Sequence, residues 1–358
     1  MIKIFKEMPL ILGIIFTITG FSFTDSAIAY GGFILWTCLG LILITIISVA
    51  FRIAHHAEIL AIRFGEPYGT LILTVAAVSV EVVILAIMLS SSPNPTLARD
   101  TVFSAFMFDI NGILGLAAII GGMKHGSPKY NFNSANSYIA MLLVSIGIGM
   151  FLPVFIPNSL IVTYSMFSIG IMSIMYIAFL RLQTVEHFKF FEYFSESEEE
   201  AHDLTGSPNG LHVFMLSSSI LLVGLLSEIM SKLLDAGLEG SSLPKSIPAI
   251  LIALISASPE ILIAMKAAKE DKMQTTINIA LGASLATVLL TVPVIEFISL
   301  LNHQAVIMAI TPLQGGFLLL TFATLIVNLH DGETNIIEGI SHFGLFLSFI
   351  ILVALGLI

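Results

Sequence analysis

Charge is what this sequence has least of. Asp, Glu, Lys and Arg make up 11% of its 358 residues, against about 25% in soluble domains. It has one cysteine, Cys38, so no intramolecular disulfide can form and the compartment's redox state leaves no trace. The 14 Lys and Arg residues sit at the flanks of apolar runs rather than in a cluster, which excludes a basic face for nucleic acid. His-Glu-x-x-His, Gly-x-Ser-x-Gly and an Asp-rich diphosphate motif are all missing, so the sequence offers no enzyme signature. The alternating segments of about ten residues that build membrane barrels are missing too.

What is present is apolar. Hydrophobic residues reach 57% and the mean hydropathy is +1.01, too apolar for a surface facing water. A helix crosses the hydrocarbon with about 20 mainly apolar residues, and such runs recur roughly at 9–24, 31–51, 70–90, 101–122, 137–156, 159–180, 211–235, 246–266, 277–300, 305–328 and 338–357. The expected fold is an all-α polytopic membrane protein with about eleven transmembrane helices. Lys3 and Lys6 precede the first run, but no small-residue cleavage site follows, and the run reads as a retained leading helix.

The longest hydrophilic stretch, RLQTVEHFKFFEYFSESEEEAHDLTGSPNG at 181–210, turns acidic at Glu196, Glu198, Glu199, Glu200 and Asp203. It divides the chain into a leading helix and loop (1–30), five spans (31–180), the linker (181–210) and five more spans (211–358). A five-helix unit repeated in tandem must adopt opposite orientations, the inverted-repeat plan of many secondary transporters. Setting Glu81 against Glu260 without gaps gives identity only at Ser79/Ser258, Glu81/Glu260 and Ile84/Ile263 across twenty positions. Placement says more than identity. Each glutamate lies in the second span of its five, and each such span precedes a helix of small residues dotted with polar ones, FSAFMFDINGILGLAAIIGG (103–122) or INIALGASLATVLLTVPVI (277–295).

Numbering the flanks alternately from the N-terminus puts Lys3, Lys6, Arg52, Arg63, Lys124, Lys129, Arg181, Lys189, Lys266, Lys269 and Lys272 on one side. Only Arg99, Lys232 and Lys245 fall on the other. This bias predicts a cytoplasmic N-terminus, an external C-terminus and residence in the cytoplasmic membrane.

Glu81 interrupts TVAAVSVEVVILAIM (74–88), and Glu260 lies in PAILIALISASPEILIAMKA (248–267). A charge at mid-membrane costs at least about 2.5–3.5 kcal/mol, so such residues face protein or water. Both acids fall near the middle of their spans. Packed as mirror partners, the repeats would bring them to one cation site; the bland alternative is two separate protonated acids. Beside Glu260, Pro259 is expected to leave the carbonyl of Ile255 without its helical partner, with Ser256 and Ser258 nearby. Carboxylates, carbonyls and hydroxyls are the hard ligands of Ca²⁺ or Na⁺. Asp109, Asn111, Asn278 and Ser284 on the following helices are further candidates for binding a cation or proton, or for bundle hydrogen bonds. Glu228 and Glu296, nearer span ends, read as solvated or snorkelling rather than as part of a site. His55 and His56, in a segment joining two spans, suggest proton sensing or simply an interfacial helix. The acidic linker reads as solvated chain or a cation sensor.

With these pieces placed, the chain resembles the calcium/cation antiporter superfamily, and within it the bacterial ChaA-like Ca²⁺/H⁺ exchangers. GEPYGTLILTVAAVSVEVVILAIM (65–88), SASPEILIAMKAA (256–268) and NIALGASLAT (278–287) carry the likeness. The resemblance implies exchange of Ca²⁺ for H⁺ by alternating access, with Glu81 and Glu260 as the matched metal-binding acids. It implies no cofactor beyond the transported ions, and no partner beyond lipid, cations and protons. Ala77-Val78 stands where the family commonly has Gly-Asn, and Gly282-Ala283 where it has Gly-Ser. With Ser284 displaced by one position, these departures remove or move oxygen ligands, and they leave a Na⁺(K⁺)/H⁺ antiporter on the same scaffold as the closest alternative.

Overall fold

The computed structural model describes residues 7–65, 68–91, 94–186, 208–239, 241–304 and 306–358. The acidic part of the linker lies outside the described residues, as do Lys3, Lys6 and Lys189. Eleven helices are described: α1 Met8–Tyr30, α2 Gly32–Phe64, α3 Tyr68–Ser91, α4 Leu97–His125, α5 Phe132–Phe155, α6 Asn158–Val185, α7 Asn209–Leu238, α8 Ile247–Lys269, α9 Met273–Asn302, α10 Pro312–Asn328 and α11 Ile336–Ala354. Ten are long and apolar enough to cross a membrane, and α10 is a shorter apolar helix. Among the described residues the only β pairing is one isolated bridge, Lys129 with Glu333. The protein is an all-α, multi-pass membrane protein.

Two expectations need correction. The span expected at 305–328 becomes helical only at Pro312. There Thr311 and Gln314 form a reciprocal capping box and the proline occupies the first turn, a combination that fixes a helix start. The segment carrying His55 and His56 is not a separate connector. It continues α2 without a break to Phe64, because nothing in RIAHHAEILAIRF stops a helix before Gly65, whose φ of 64° ends it.

The helices form two compact units. In one, α1, α2, α3, α7 and α8 as far as Pro259 cluster together. There α7 packs on α1, α2 and α3. The inward face of α1 is made of Leu10, Gly13, Thr17, Thr24 and Ala27, while Ile18 and Phe23 point outward at 68% exposure each. Large apolar residues outside and small ones inside is the pattern of a helix solvated by lipid. Gly13 and Gly20 let α1 approach Leu222 and Ile229 of α7.

The second unit holds α4–α6, α9–α11 and α8 from Glu260 onward. Its centre is α4, where every residue from Leu97 to Phe106 except Arg99 is buried. Wider π-helical turns interrupt α4 at Met107–Ile113, α5 at Gly147–Phe151 and α9 at Thr287–Thr291. Such turns shift the facing of side chains beyond them. Along α4 and α11 the two backbones touch: a Cβ on Gly339 would stand 2.6 Å from the nitrogen of Ile119, and one on Gly115 2.7 Å from that of Phe343. Phe103 and Phe108 stack edge-on against Phe349 and Phe346 along the same seam.

Because two of the atoms met at Gly339, the Ile119 nitrogen and the Gly115 oxygen, are backbone, they cannot swing aside. Gly339→Val should destabilise the protein by about 1–3 kcal/mol or more, seen as a lower melting temperature in detergent. Gly344→Ala, one turn on with open space around it, should melt like the parent.

Candidate cation and proton site

In the first unit Glu81 sits midway along α3 with 0% exposure. Val80, Ile84 and Leu85, also buried, flank it. The hydroxyls closest in sequence are engaged within α3 itself: Ser79 donates to the carbonyl of Val75 at 2.6 Å and Thr74 to that of Thr70 at 2.9 Å. The same unit holds a polar cluster where α2 and α7 meet. His56 and His212 place their Nδ1 atoms 3.0 Å apart, so one ring donates and the other accepts. Glu7 ion-pairs with Arg52 and stands 3.6 Å from Nε2 of His56. Half-buried His55 is the ring neighbour of His56, not part of the Nδ1 contact.

Also in this unit, α8 passes through Pro259 without ending. Ser258 donates to the carbonyl of Leu254 at 2.5 Å, so its hydroxyl serves the helix just before the proline. Ser256 is partly buried.

In the second unit Glu260 begins the stretch of α8 that belongs there and is partly buried. Asp109 lies in the π-helical turn of α4 and accepts a hydrogen bond from the Ser284 hydroxyl of α9 at 2.9 Å. These two residues, predicted from separate halves of the sequence, do meet. Asn111 turns elsewhere. Its amide donates to the Thr321 hydroxyl at 2.8 Å, and its Oδ1 lies 3.0 Å from Nδ1 of His342. Both Asn111 and His342 are buried. Asn278 accepts from the Gln274 amide at 2.8 Å.

Thr321, His342, His212 and Gln274 escaped the sequence reading. His342, a lone imidazole in the last apolar run, carried a signal; a threonine in an apolar helix carries none. Glu228 is solvent-accessible and paired with Lys232 at 2.9 Å, as expected. Glu296 is the exception. It was expected to be solvated, yet it is buried in α9 and accepts from the Ser165 hydroxyl of α6 at 3.2 Å. Distance from a span end measures depth along the helix and says nothing about which face a residue occupies.

The second unit also carries the one titratable shift outside the spans that bears on this region. Burial, aided by the charge of Asp331, pushes the Tyr130 phenol above its ordinary value.

Buried acids, hydroxyl partners and a histidine among lipid-facing helices are the equipment of a transporter. Residues 34–185 and 211–355 match the family described as sodium/calcium exchanger protein. The chain belongs to the sodium/calcium exchanger family. Within it the chain is 32% identical over 86% of its length to the putative ionic transporter y4hA of Sinorhizobium fredii, covering 86% of that protein. It is 30% identical over 87% of its length to the sodium-potassium/proton antiporter ChaA of Escherichia coli, covering 87% of that one. The solved structure of native YfkE superposes with a TM-score of 0.77 at 18% identity, covering 98% of this chain and 99% of the other, which shows the shared fold. As a member of this exchanger family the chain is a cation transporter and not an enzyme.

Removing the hydroxyl from Ser284 leaves an oxygen of Asp109 without that donor, so Ser284→Ala should cost about 1–3 kcal/mol. Asn111→Leu strips partners from both Thr321 and His342 and should cost more than Ser284→Ala. Chemical unfolding in detergent measures both, with Ser48→Ala, whose hydroxyl bonds only to the Ile44 carbonyl of its own helix, expected to change little.

Proposed function

We propose that this protein exchanges Ca²⁺ for H⁺ across the cytoplasmic membrane by alternating access, with Glu81 and Glu260 as the carboxylates that carry cation and proton in turn. The observation that carries the reading is the complete burial of Glu81 at the middle of α3 in a chain of the sodium/calcium exchanger family. A carboxylate without water needs its charge neutralised, and a proton or a cation can do so. The two therefore compete. A cation arriving on one side displaces protons, and protons arriving on the other displace the cation. Two carboxylates match one Ca²⁺ or two protons in charge, which makes the exchange close to electroneutral. Asp109, held by Ser284, is the third acid available to either ion. The two halves of the chain act as inverted repeats, with the N-terminus in the cytoplasm and the C-terminus outside.

A second reading, Na⁺ or K⁺ in place of Ca²⁺, is favoured by the 30% identity to an antiporter named for sodium and potassium.

Purified protein in vesicles loaded with a pH-sensitive dye separates these readings. Ca²⁺, Na⁺ and K⁺ are added singly, and proton movement is followed for the parent, Glu81→Gln and Glu260→Gln. A Ca²⁺ response that falls to the level of protein-free vesicles in both variants is the expected result. A response to Na⁺ or K⁺ with none to Ca²⁺ establishes the second reading. Proton exchange that persists undiminished in both variants overturns the assignment of the two acids.

A further inference from the structure

Glu296 has no part in that exchange scheme, and it is the other glutamate that the membrane-spanning helices bury almost completely, at 5% exposure. It interrupts TVPVIEFISLL, shortly after α9 resumes ordinary helical winding beyond its π-helical turn and Pro293. Its neighbours Val294 and Phe297 face outward at 38% and 52% exposure, so the acid itself points inward, toward α6. There the Ser165 hydroxyl donates to Oε1 at 3.2 Å, and the Ser168 hydroxyl faces the same carboxyl. Oε2 is buried and accepts no hydrogen bond from the described residues.

The charges around it are few. Tyr164, the titratable side chain of α6 nearest the pair of serines, gives its hydroxyl to the carbonyl of Ile148 at 2.7 Å. From α4, which also packs on α9, Asp100 is bound to Arg99 and Gln314. The stretch of α5 between Phe132 and Phe155 has no Asp, Glu, His, Lys or Arg, and Tyr138 is its one titratable side chain. His303, at the end of α9, is the remaining titratable group on the same element. Among the described residues no Lys or Arg side chain pairs with Glu296. One carboxylate and two hydroxyls offer about four oxygens, short of the 6–8 that Ca²⁺ requires, whereas a proton needs only one.

We infer that Glu296 is an exchangeable proton site, loaded from the side on which α9 ends. Loading transfers a proton from hydronium to Oε2, leaving water and a neutral carboxyl held by Ser165; release returns the proton to water. Ser299, one turn on and buried, continues the polar line, its hydroxyl donating to the carbonyl of Gln304 in the loop after α9. The inference rests on the exchanger reading above for its role, but not for its detection.

Dicyclohexylcarbodiimide, which modifies protonated carboxyls in apolar surroundings, is applied to the full-length protein in vesicles, and the adducts are mapped by mass spectrometry. An adduct on Glu296 that falls roughly tenfold or more between about pH 5 and about pH 9 is expected, as for a group that gains and loses its proton in that range. An adduct independent of pH, or none, overturns the inference. In parallel, Glu296→Gln keeps the acceptor for Ser165 but cannot titrate. Proton uptake driven by the cation should fall roughly tenfold and shift its pH profile, while self-exchange of isotopic cation, which moves no proton, should stay within about twofold. Equal loss of both fluxes marks a purely structural acid and overturns it. If the parent protein exchanges nothing, the transport reading falls, and the labelling result still decides whether Glu296 titrates.

Discussion

The constraint on which this structure depends is that lipid offers no hydrogen bonds. A polar group in contact with hydrocarbon has to find its partner inside the protein or lose several kcal/mol. The surface helix α1 shows one response, with small residues and two threonines turned inward and each threonine hydroxyl returned to a carbonyl of the preceding turn. The buried second unit shows the other. There polar side chains on different helices satisfy one another, Asp109 through Ser284 and Asn111 through Thr321 and His342.

Close packing makes those partnerships specific. Gly115 and Gly339 bring α4 and α11 into backbone contact, and Asn111 and His342 lie on that same seam. With the helices held so close, a side chain has few rotamers left, and the hydrogen bonds that form are those the seam permits. The π-helical turns work in the same direction. Each adds a residue to a turn and re-aims the side chains beyond it, and the turn in α4 contains both Asp109 and Asn111. Two positions apart on a helix, these side chains point in different directions and serve separate partners.

The two acids proposed to carry the ions, Glu81 and Glu260, lie in different settings. Glu81 lies wholly inside one compact unit, whereas Glu260 begins the stretch of α8 that belongs to the other, next to a proline through which the helix continues. In the proposed exchange, one charge replaces another because an uncompensated buried carboxylate is costly, whichever cation the protein accepts.

Much of this was legible in the sequence. Long apolar runs have only one stable form in a bilayer, so the all-helical fold, the membrane and nearly every span came from composition and length. Glu81 stood out for the same reason, since an acid in the middle of such a run is too costly to be accidental. The pairing of Asp109 with Ser284, the turn of Asn111 toward His342 and the burial of Glu296 could not be read that way. Each depends on which face of a helix meets which neighbour, across separations of 175 and 231 residues in the first two cases. Hydropathy fixes how deep a residue lies along its helix; only packing, through glycine contacts and π-helical turns, decides what it faces.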